Sequence, residues 1–264
     1  MFKKLFPLLF VLTAGYFLYS ALNVPPPPNK VVVAPRVAVP PAAVSPAPES
    51  QFISSDWPGI QQDKNLTVLE DKLTRRNVVL IFDGSASMAE SRCSGSRTKS
   101  NVAKDAVKDW ASSVPADANL GLIVFDETGL SVRLPLGLNN RDRFRHEIAK
   151  IVPNYKTPLT KSLYGAYEML TEQGRKQLGY GEYTIVIVTD GVANNPDALM
   201  RAVNSTLIRS PIMISTIGFC IRTNHSLNQP GKTVYKAANN PEALRQGLQE
   251  VLAESESFDI SAFQ

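Results

Sequence analysis

Short apolar runs and amphipathic stretches alternate along most of the chain, and this pattern predicts the secondary structure. Runs rich in Val, Ile, Leu and Phe predict strands at residues 78–82, 119–125, 130–136, 183–189, 212–219 and 233–237. Apolar residues at helical spacing predict helices at residues 100–113, 142–151, 158–169, 196–207 and 241–253. Because strands and helices alternate, we predict an α/β fold with a mostly parallel central sheet.

The second and third predicted strands are joined only by a turn at residues 126–129. A connection this short cannot cross over between two parallel strands. We therefore expect the third strand to lie antiparallel to the second, at an edge of the sheet.

The first predicted strand ends abruptly in polar residues, with Asp83, Ser85 and Ser87 at alternate positions after Phe82. Ligands of open α/β sheets bind beyond the carboxyl ends of the strands. One carboxylate and two hydroxyls are hard oxygen donors, which suit a cation such as Mg²⁺. Alternate residues of an extended backbone point the same way, so we expect the three side chains to converge on one point.

Each candidate residue also has an ordinary structural interpretation. Asp83 and Asp190 both precede glycine, and Asp-Gly is a common turn signal. The serines can cap backbone amides of their loop, and a threonine before proline, as at Thr157, is an ordinary helix N-cap. A polar loop and a predicted helix, not a second strand, follow each Asp-Gly pair, which disfavours the hairpin interpretation.

The pattern Asp83-x-Ser85-x-Ser87 resembles the first motif of the metal-ion-dependent adhesion site (MIDAS) of von Willebrand factor A domains. A threonine before the helix at 158–169 and an aspartate after the strand at 183–189 resemble its other two parts, in the family's order. The resemblance covers residues 77–254. It implies a doubly wound, Rossmann-like fold with helices on both faces of the sheet. It also implies a bound Mg²⁺, or Mn²⁺ or Ca²⁺, with these ligands: Asp83, Ser85, Ser87, Thr157 and Asp190.

The resemblance further implies a binding module, not an enzyme. Magnesium takes six oxygen ligands, so such a site leaves a position for a Glu or Asp side chain of a partner protein. Some family members of similar layout belong to bacterial envelopes, with assembly machinery or AAA-type ATPases, and an envelope assembly complex is therefore one expected partner. Where the family often has small residues before the threonine, this chain has Tyr155 and Lys156. An ammonium beside the site would compete with the cation.

The amino-terminal segment differs in composition from the rest of the chain. Two lysines precede an apolar run at residues 5–22, so we predict that residues 1–23 form a transmembrane signal anchor with its amino end in the cytoplasm. A cleaved signal peptide is the alternative. A Pro-rich linker is predicted at residues 24–76, and a tail at 255–264. Either interpretation puts the domain in the periplasm or outside the cell, attached to the inner (cell) membrane or secreted.

The chain has two cysteines, Cys93 after the first motif and Cys220 at the end of the fifth predicted strand. An extracytoplasmic compartment permits a disulfide, and both residues belong to the ligand-binding end of the sheet. We predict a Cys93–Cys220 disulfide, with two unpaired thiols as the alternative.

Other functional classes have weaker support in the sequence. Lys and Arg are spread along the whole chain at a formal net charge of +4, which does not indicate a nucleic-acid partner. A dehalogenase-type phosphatase would need an aspartate at Ser85, and Thr98 stands where a phosphate loop needs glycine. His146 and His225 are predicted to be solvated. A metal-dependent phosphatase or other hydrolase, and a structural envelope subunit with an empty metal site, remain the alternatives.

Overall fold

The computed structural model describes residues 56–59 and 69–256, and its centre is a six-stranded sheet in the order β3-β2-β1-β4-β5-β6. The strands are β1 (Arg76–Asp83), β2 (Asn119–Asp126), β3 (Gly129–Gly137), β4 (Glu182–Thr189), β5 (Met213–Phe219) and β6 (Val234–Ala238). Only the β2–β3 pair is antiparallel. The predicted mostly parallel sheet with one antiparallel edge strand is confirmed.

Helices cover both faces of the sheet. They are α1 (Lys99–Ser113), α2 (Arg141–Ala149), α3 (Leu159–Lys176), α4 (Pro196–Arg209) and α5 (Pro241–Glu256). Buried side chains of α1, α2 and α5 form one apolar cluster with the sheet, and those of α3 and α4 form a second cluster on its other face. This arrangement confirms the doubly wound fold.

Strand β1 lies at the centre of the sheet, and its side chains divide between the two apolar clusters. Val78, Leu80 and Phe82 face the first cluster, whereas Val79 and Ile81 face the second. A strand buried on both faces must be apolar at every position, which is why this run shows no alternation with polar residues. The first polar side chain after it, Asp83, therefore marks the end of the strand.

Helix α3 is longer than the sequence predicted. The expected end was residue 169, but the helix continues to Lys176 through Gly174. Glycine weakens an isolated helix, but tertiary packing overrides this local preference here. In the fold, this glycine makes room for an indole ring: a Cβ at Gly174 would lie 2.5 Å from Trp57.

Trp57 packs against the end of α3 and the start of β4. Its Nε1 donates a hydrogen bond to Thr171 Oγ1 at 3.1 Å, and its ring meets Tyr183 edge to face at 4.6 Å between centroids. These contacts lie at the amino ends of the parallel strands. The segment 56–59 is therefore held at the opposite end of the sheet from Asp83.

The predicted membrane anchor at residues 1–23 lies outside the described residues, as do residues 24–55 and 60–68 of the predicted linker and residues 257–264 of the predicted tail. Within residues 56–59 and 69–256, no helix has both the length and the apolar character needed to cross a membrane.

We predict that Gly174→Ala destabilises the domain, because the new methyl group overlaps Trp57 and Pro58. The free energy of unfolding should fall by about 1–3 kcal/mol, as for other overpacked sites. Gly165→Ala is the matched control in the same helix. Its Cβ would meet Ile123 at an ordinary 3.5 Å, so higher helix propensity should stabilise the domain by up to about 1 kcal/mol. Urea unfolding of both variants measures the difference, and equal stability would contradict the role given to Gly174.

Candidate metal centre

The predicted site residues lie where the strand order reverses. After β1 the chain adds β2 and β3 on one side, and it returns to place β4 on the other side of β1. Loops that follow β1 and β4 diverge at such a point and leave a crevice beyond the strand ends. Asp83 ends β1 and Asp190 follows β4, so the two carboxylates come from the two walls of this crevice.

Asp83 is fully buried, and both of its oxygens accept hydrogen bonds. The amide of Ser85 donates to Oδ1 at 2.8 Å, and the hydroxyl of Thr189 donates to Oδ2 at 2.5 Å. Thr189 is a site residue that the sequence analysis missed. Its only signal was a hydroxyl at the end of the strand, directly before Asp190.

Gly84 lets the first loop turn tightly against β2. Its amide donates to Phe125 O at 2.8 Å, and a Cβ there would lie 2.7 Å from the same oxygen. The glycine of this Asp-Gly pair thus serves close packing of the loop on the neighbouring strand. The pair does not form a hairpin, in agreement with the expectation from the sequence.

Ser85 and Ser87 come together with Asp190 through a short 3-10 turn at Ala86–Ala89. Ser87 Oγ donates to Asp190 Oδ1 at 2.7 Å and lies 3.1 Å from Ser85 Oγ. The convergence was predicted, but the reason given for it was wrong. Ser85 has extended backbone, whereas Ser87 lies within the 3-10 turn, so the turn and not a continued strand brings the hydroxyls to one side.

Thr157 reaches the same place from the loop before α3. A Cβ built on Gly191 would lie 3.6 Å from Thr157 Oγ1 and 3.7 Å from Ser87 Oγ, so both hydroxyls flank this glycine. Two hydrogen bonds of 3.2 Å with Asn194 tie the Thr157 backbone to the loop after β4. Helix α3 has Pro158 at its N-cap and no side-chain cap, so the N-cap interpretation of Thr157 is wrong.

An ammonium lies beside these residues, but it belongs to Lys99 and not to Lys156. Lys99 is fully buried, and its Nζ lies 2.7 Å from Asp190 Oδ2. Lys156 is exposed on the surface. The expectation that Lys156 would supply the competing charge is therefore replaced by a contact that the sequence analysis did not identify.

The charges at the site are strongly coupled. Burial, together with the nearby charge of Asp190, raises the pKa of Asp83 to about 6. Burial alone would lower the pKa of Lys99, but hydrogen bonds and charge attraction from Asp190 and Glu90 outweigh it, and this pKa is raised. One buried ammonium faces two buried carboxylates, so the interior of the site keeps an excess of negative charge.

This donor set fits a hard divalent cation. Carboxylate and hydroxyl oxygens are what Mg²⁺ and related ions prefer, and the excess negative charge favours a cation. Among residues 56–59 and 69–256, no three His, Cys, Asp or Glu side chains are grouped to hold a metal. A cation at this site would depend on the serine and threonine hydroxyls as well as on the two aspartates.

His225 holds the loop after β4 in place by a hydrogen bond to the Gly191 backbone. The amide of Leu227 donates to His225 Nδ1 at 3.1 Å, so the proton resides on Nε2, which donates to Gly191 O at 3.0 Å. Its burial lowers the pKa of this imidazole. The prediction that His225 is solvated is therefore wrong, because its ring lies between Gly191 O and the ring of Tyr235, 6.0 Å away between centroids. His146 is exposed, as predicted.

The two cysteines lie next to each other as free thiols. Burial and the neighbouring Cys93 thiol raise the pKa of Cys220 to about 12, and Cys220 Sγ donates to Arg92 O at 2.9 Å. Both residues have left-handed backbone, with φ of 60° and 62°. The predicted disulfide is not formed in this structure, and it remains a prediction for the oxidised protein.

With this geometry established, comparison with known proteins identifies the fold. Residues 78–192 match the family model of the von Willebrand factor type A domain. The domain has the von Willebrand factor A fold. A relative in sequence is the uncharacterized protein YwmD of Bacillus subtilis (strain 168), which is 24% identical over 198 residues, or 67% of this chain and 84% of YwmD.

Solved structures of this fold include proteins much longer than the matching part of this chain. The pilus adhesin SpaC from Lactobacillus rhamnosus GG superposes with a TM-score of 0.56 at 13% identity, covering 71% of this chain but 31% of SpaC. Proximal thread matrix protein 1 from the mussel byssus, with a zinc-occupied MIDAS motif, gives a TM-score of 0.53 at 16% identity. That match covers 68% of this chain and 47% of the mussel protein.

The disulfide prediction can be tested by incubating the full chain with oxidised glutathione. The Cys93 and Cys220 thiols together would lose two protons and two electrons, which reduce the glutathione disulfide to two thiols. Peptide mapping without reductant should then recover the two cysteine peptides linked to each other. Two alkylated cysteines after oxidation would contradict the prediction, and a sample treated with dithiothreitol is the control.

Proposed function

We propose that this domain binds a protein partner through a divalent cation held at the crevice between β1 and β4. The observation that carries the proposal is the convergence of oxygen donors from three separate loops. The proposed ligands, direct or through water, are Asp83, Ser85, Ser87, Thr157 and Asp190. Among the solved structures of this fold, a mussel protein has zinc at the corresponding motif and SpaC is an adhesin, which supports both parts of the proposal.

Hydrogen bonds within the site fix the orientation of the proposed ligands. Thr189 and the Ser85 amide fix both oxygens of Asp83, so this carboxylate cannot rotate away from the crevice. The hydrogen of Ser87 Oγ is directed at Asp190, so Ser85 Oγ is the donor between the two hydroxyls, and one lone pair of Ser87 Oγ remains for a cation. A bound Mg²⁺ would offer a Lewis-acidic position to a carboxylate of the partner.

Apolar side chains around the crevice favour a macromolecular partner. Val152 and Tyr155 precede Thr157, and Val192 follows Asp190 by two positions; they are 45%, 41% and 58% exposed. These side chains share the loops that carry the proposed ligands, so a protein surface placed over the cation would cover them. Exposed apolar residues grouped at one site commonly mark an interaction surface.

The geometry gives hydrolysis no comparable support. Both oxygens of Asp83 are engaged and the side chain is fully buried, so this carboxylate is not poised as a nucleophile. His225 is also engaged at both nitrogens, which occupies it in holding Gly191. Binding, not catalysis, is therefore the function that we propose.

We also propose that the chain is tethered through residues 1–23, with the domain outside the cytoplasm. The support is the apolar run after Lys3 and Lys4 and the Pro-rich stretch behind it. The segment 56–59 is attached at the amino ends of the strands, opposite the proposed cation site. A tether that enters there leaves the binding surface free to face a partner.

The cation site is tested by Thr157→Val, which removes one hydroxyl at nearly constant shape. Since Thr157 caps no helix, the cation-free domain should keep its melting temperature, while affinity for Mg²⁺ or Mn²⁺ measured by calorimetry should fall about tenfold or more. Thr171→Val within α3 is the control. It should lower stability through the lost Trp57 hydrogen bond and leave cation affinity unchanged. Equal cation affinity in the Thr157 variant and the wild type would contradict the assignment.

The role of the cation in partner binding is tested by affinity capture from membranes with the full chain as bait. Proteins captured in Mg²⁺ should be released by EDTA and should be missing when the bait carries Thr157→Val. The Thr171→Val bait should retain them. A partner that persists through EDTA and binds the Thr157 variant equally would rule out cation-mediated binding.

A further inference from the structure

Lys99 stands in a position that is unfavourable for a cation except for its contacts with the site. It is the first residue of α1, where the positive end of the helix dipole repels an ammonium. It is also fully buried, which removes the ammonium from water. Both effects oppose a charged lysine here, so the attraction from neighbouring oxygens must outweigh them.

Those oxygens all belong to the cation site or its rim. Lys99 Nζ lies 2.7 Å from Asp190 Oδ2, 3.1 Å from Ser87 O and 3.1 Å from Glu90 Oε2. Ser87 Oγ takes the other oxygen of Asp190, so both oxygens of this carboxylate already have donors. Lys99 therefore does at Asp190 what a metal ion would do, with one positive charge instead of two.

The count of charges shows what depends on this contact. Without Lys99, Asp83 and Asp190 would be two buried carboxylates with no buried cation near them, and such pairs cannot both stay ionised at low cost. With Lys99, one of the two charges is compensated. We propose that Lys99 is a built-in counter-ion that keeps the site assembled before a divalent cation binds, and that it sets the affinity for that cation by competing for Asp190. This inference rests on the proposed cation site.

Glu90 provides the Lys99 ammonium with a second carboxylate partner. Its side chain is 57% exposed, and its carboxylate contacts Lys99 from the solvent side. If a cation draws on Asp190, Lys99 can keep its contacts with Glu90 and Ser87 O. The site can thus pass between the cation-free and the cation-bound state by a small movement of the Lys99 side chain. The loop keeps its fold in both states.

The test compares the full chain with Lys99→Met, which keeps length and apolar character but removes the charge. Melting in EDTA should drop by at least about 5 °C, because two buried carboxylates are left uncompensated. Affinity for Mg²⁺ or Mn²⁺ by calorimetry should rise about tenfold or more, because the competing charge is gone. Lys99→Arg, which retains the charge, should bind the cation within a few-fold of the wild type.

Lys72→Met is the matched control, since it removes one charge from an exposed ion pair with Asp117 at the other end of the sheet. It should change neither the melting temperature in EDTA nor the affinity for the cation. Glu90→Gln keeps Lys99 but removes its second carboxylate partner, so cation affinity should fall a few-fold with little change in the EDTA melt. This variant keeps the inference testable if Lys99→Met does not fold.

The outcomes separate this inference from the proposed function. Cation binding by the wild type with equal or weaker binding by Lys99→Met, or unchanged binding by Glu90→Gln, would overturn the role of Lys99 and leave the cation site standing. Absence of binding in every variant would overturn the cation site, and the inference with it. Binding by Lys99→Met alone would support the inference in its strongest form, with Lys99 blocking the site.

Discussion

Two buried carboxylates of like charge, Asp83 and Asp190, impose the constraint on which the rest of this site depends. Each needs hydrogen bonds or a cation, because an uncompensated buried charge is costly. The protein meets this need with donors from Thr189, Ser85 and Ser87 and with the ammonium of Lys99. What remains is an excess of negative charge lined with hydroxyls, which would favour the binding of a divalent cation.

The fold explains why these charges are tolerated where they are. The apolar strands β1 and β4 end at the same edge of the sheet, and their loops separate at the point where the strand order reverses. Polar side chains therefore gather in a crevice whose floor is the apolar core. At the other end of the sheet, Trp57 packs into the space left by Gly174 and holds the segment 56–59 there. The segment 56–59 and the proposed cation site therefore lie at opposite ends of the sheet.

Much of this architecture could be predicted from the sequence, because it follows from local patterns. The apolar runs define the strands, and the short 126–129 turn defines the antiparallel edge. The motif around Asp83, with Thr157 and Asp190, pointed to three loops that the fold brings together. Periodicity is informative here because the sheet is buried on both faces and its ends are sharply polar.

The remaining features depend on contacts between distant segments, which a local pattern does not contain. Lys99 reads as an ordinary lysine before a helix until the fold brings Asp190 to it, 91 positions later. The glycine inside α3 is explained only by Trp57, whose ring fills the space beside Gly174. His225, in a polar loop, reads as solvated until the fold brings it to Gly191 and Tyr235. The 3-10 turn that aligns Ser87 left no distinct signal of its own.

The central claim is that oxygen donors from three loops hold one divalent cation. Its most direct test is anomalous diffraction from a crystal of the protein soaked in Mn²⁺. We expect a peak in the crevice between β1 and β4, with hydroxyl oxygens of Ser85 and Ser87 at coordination distances close to those of Mg²⁺ sites, about 2.0–2.1 Å. An empty crevice, with the Lys99 ammonium still in contact with Asp190, would contradict the central claim. A peak on another face of the molecule would also contradict it.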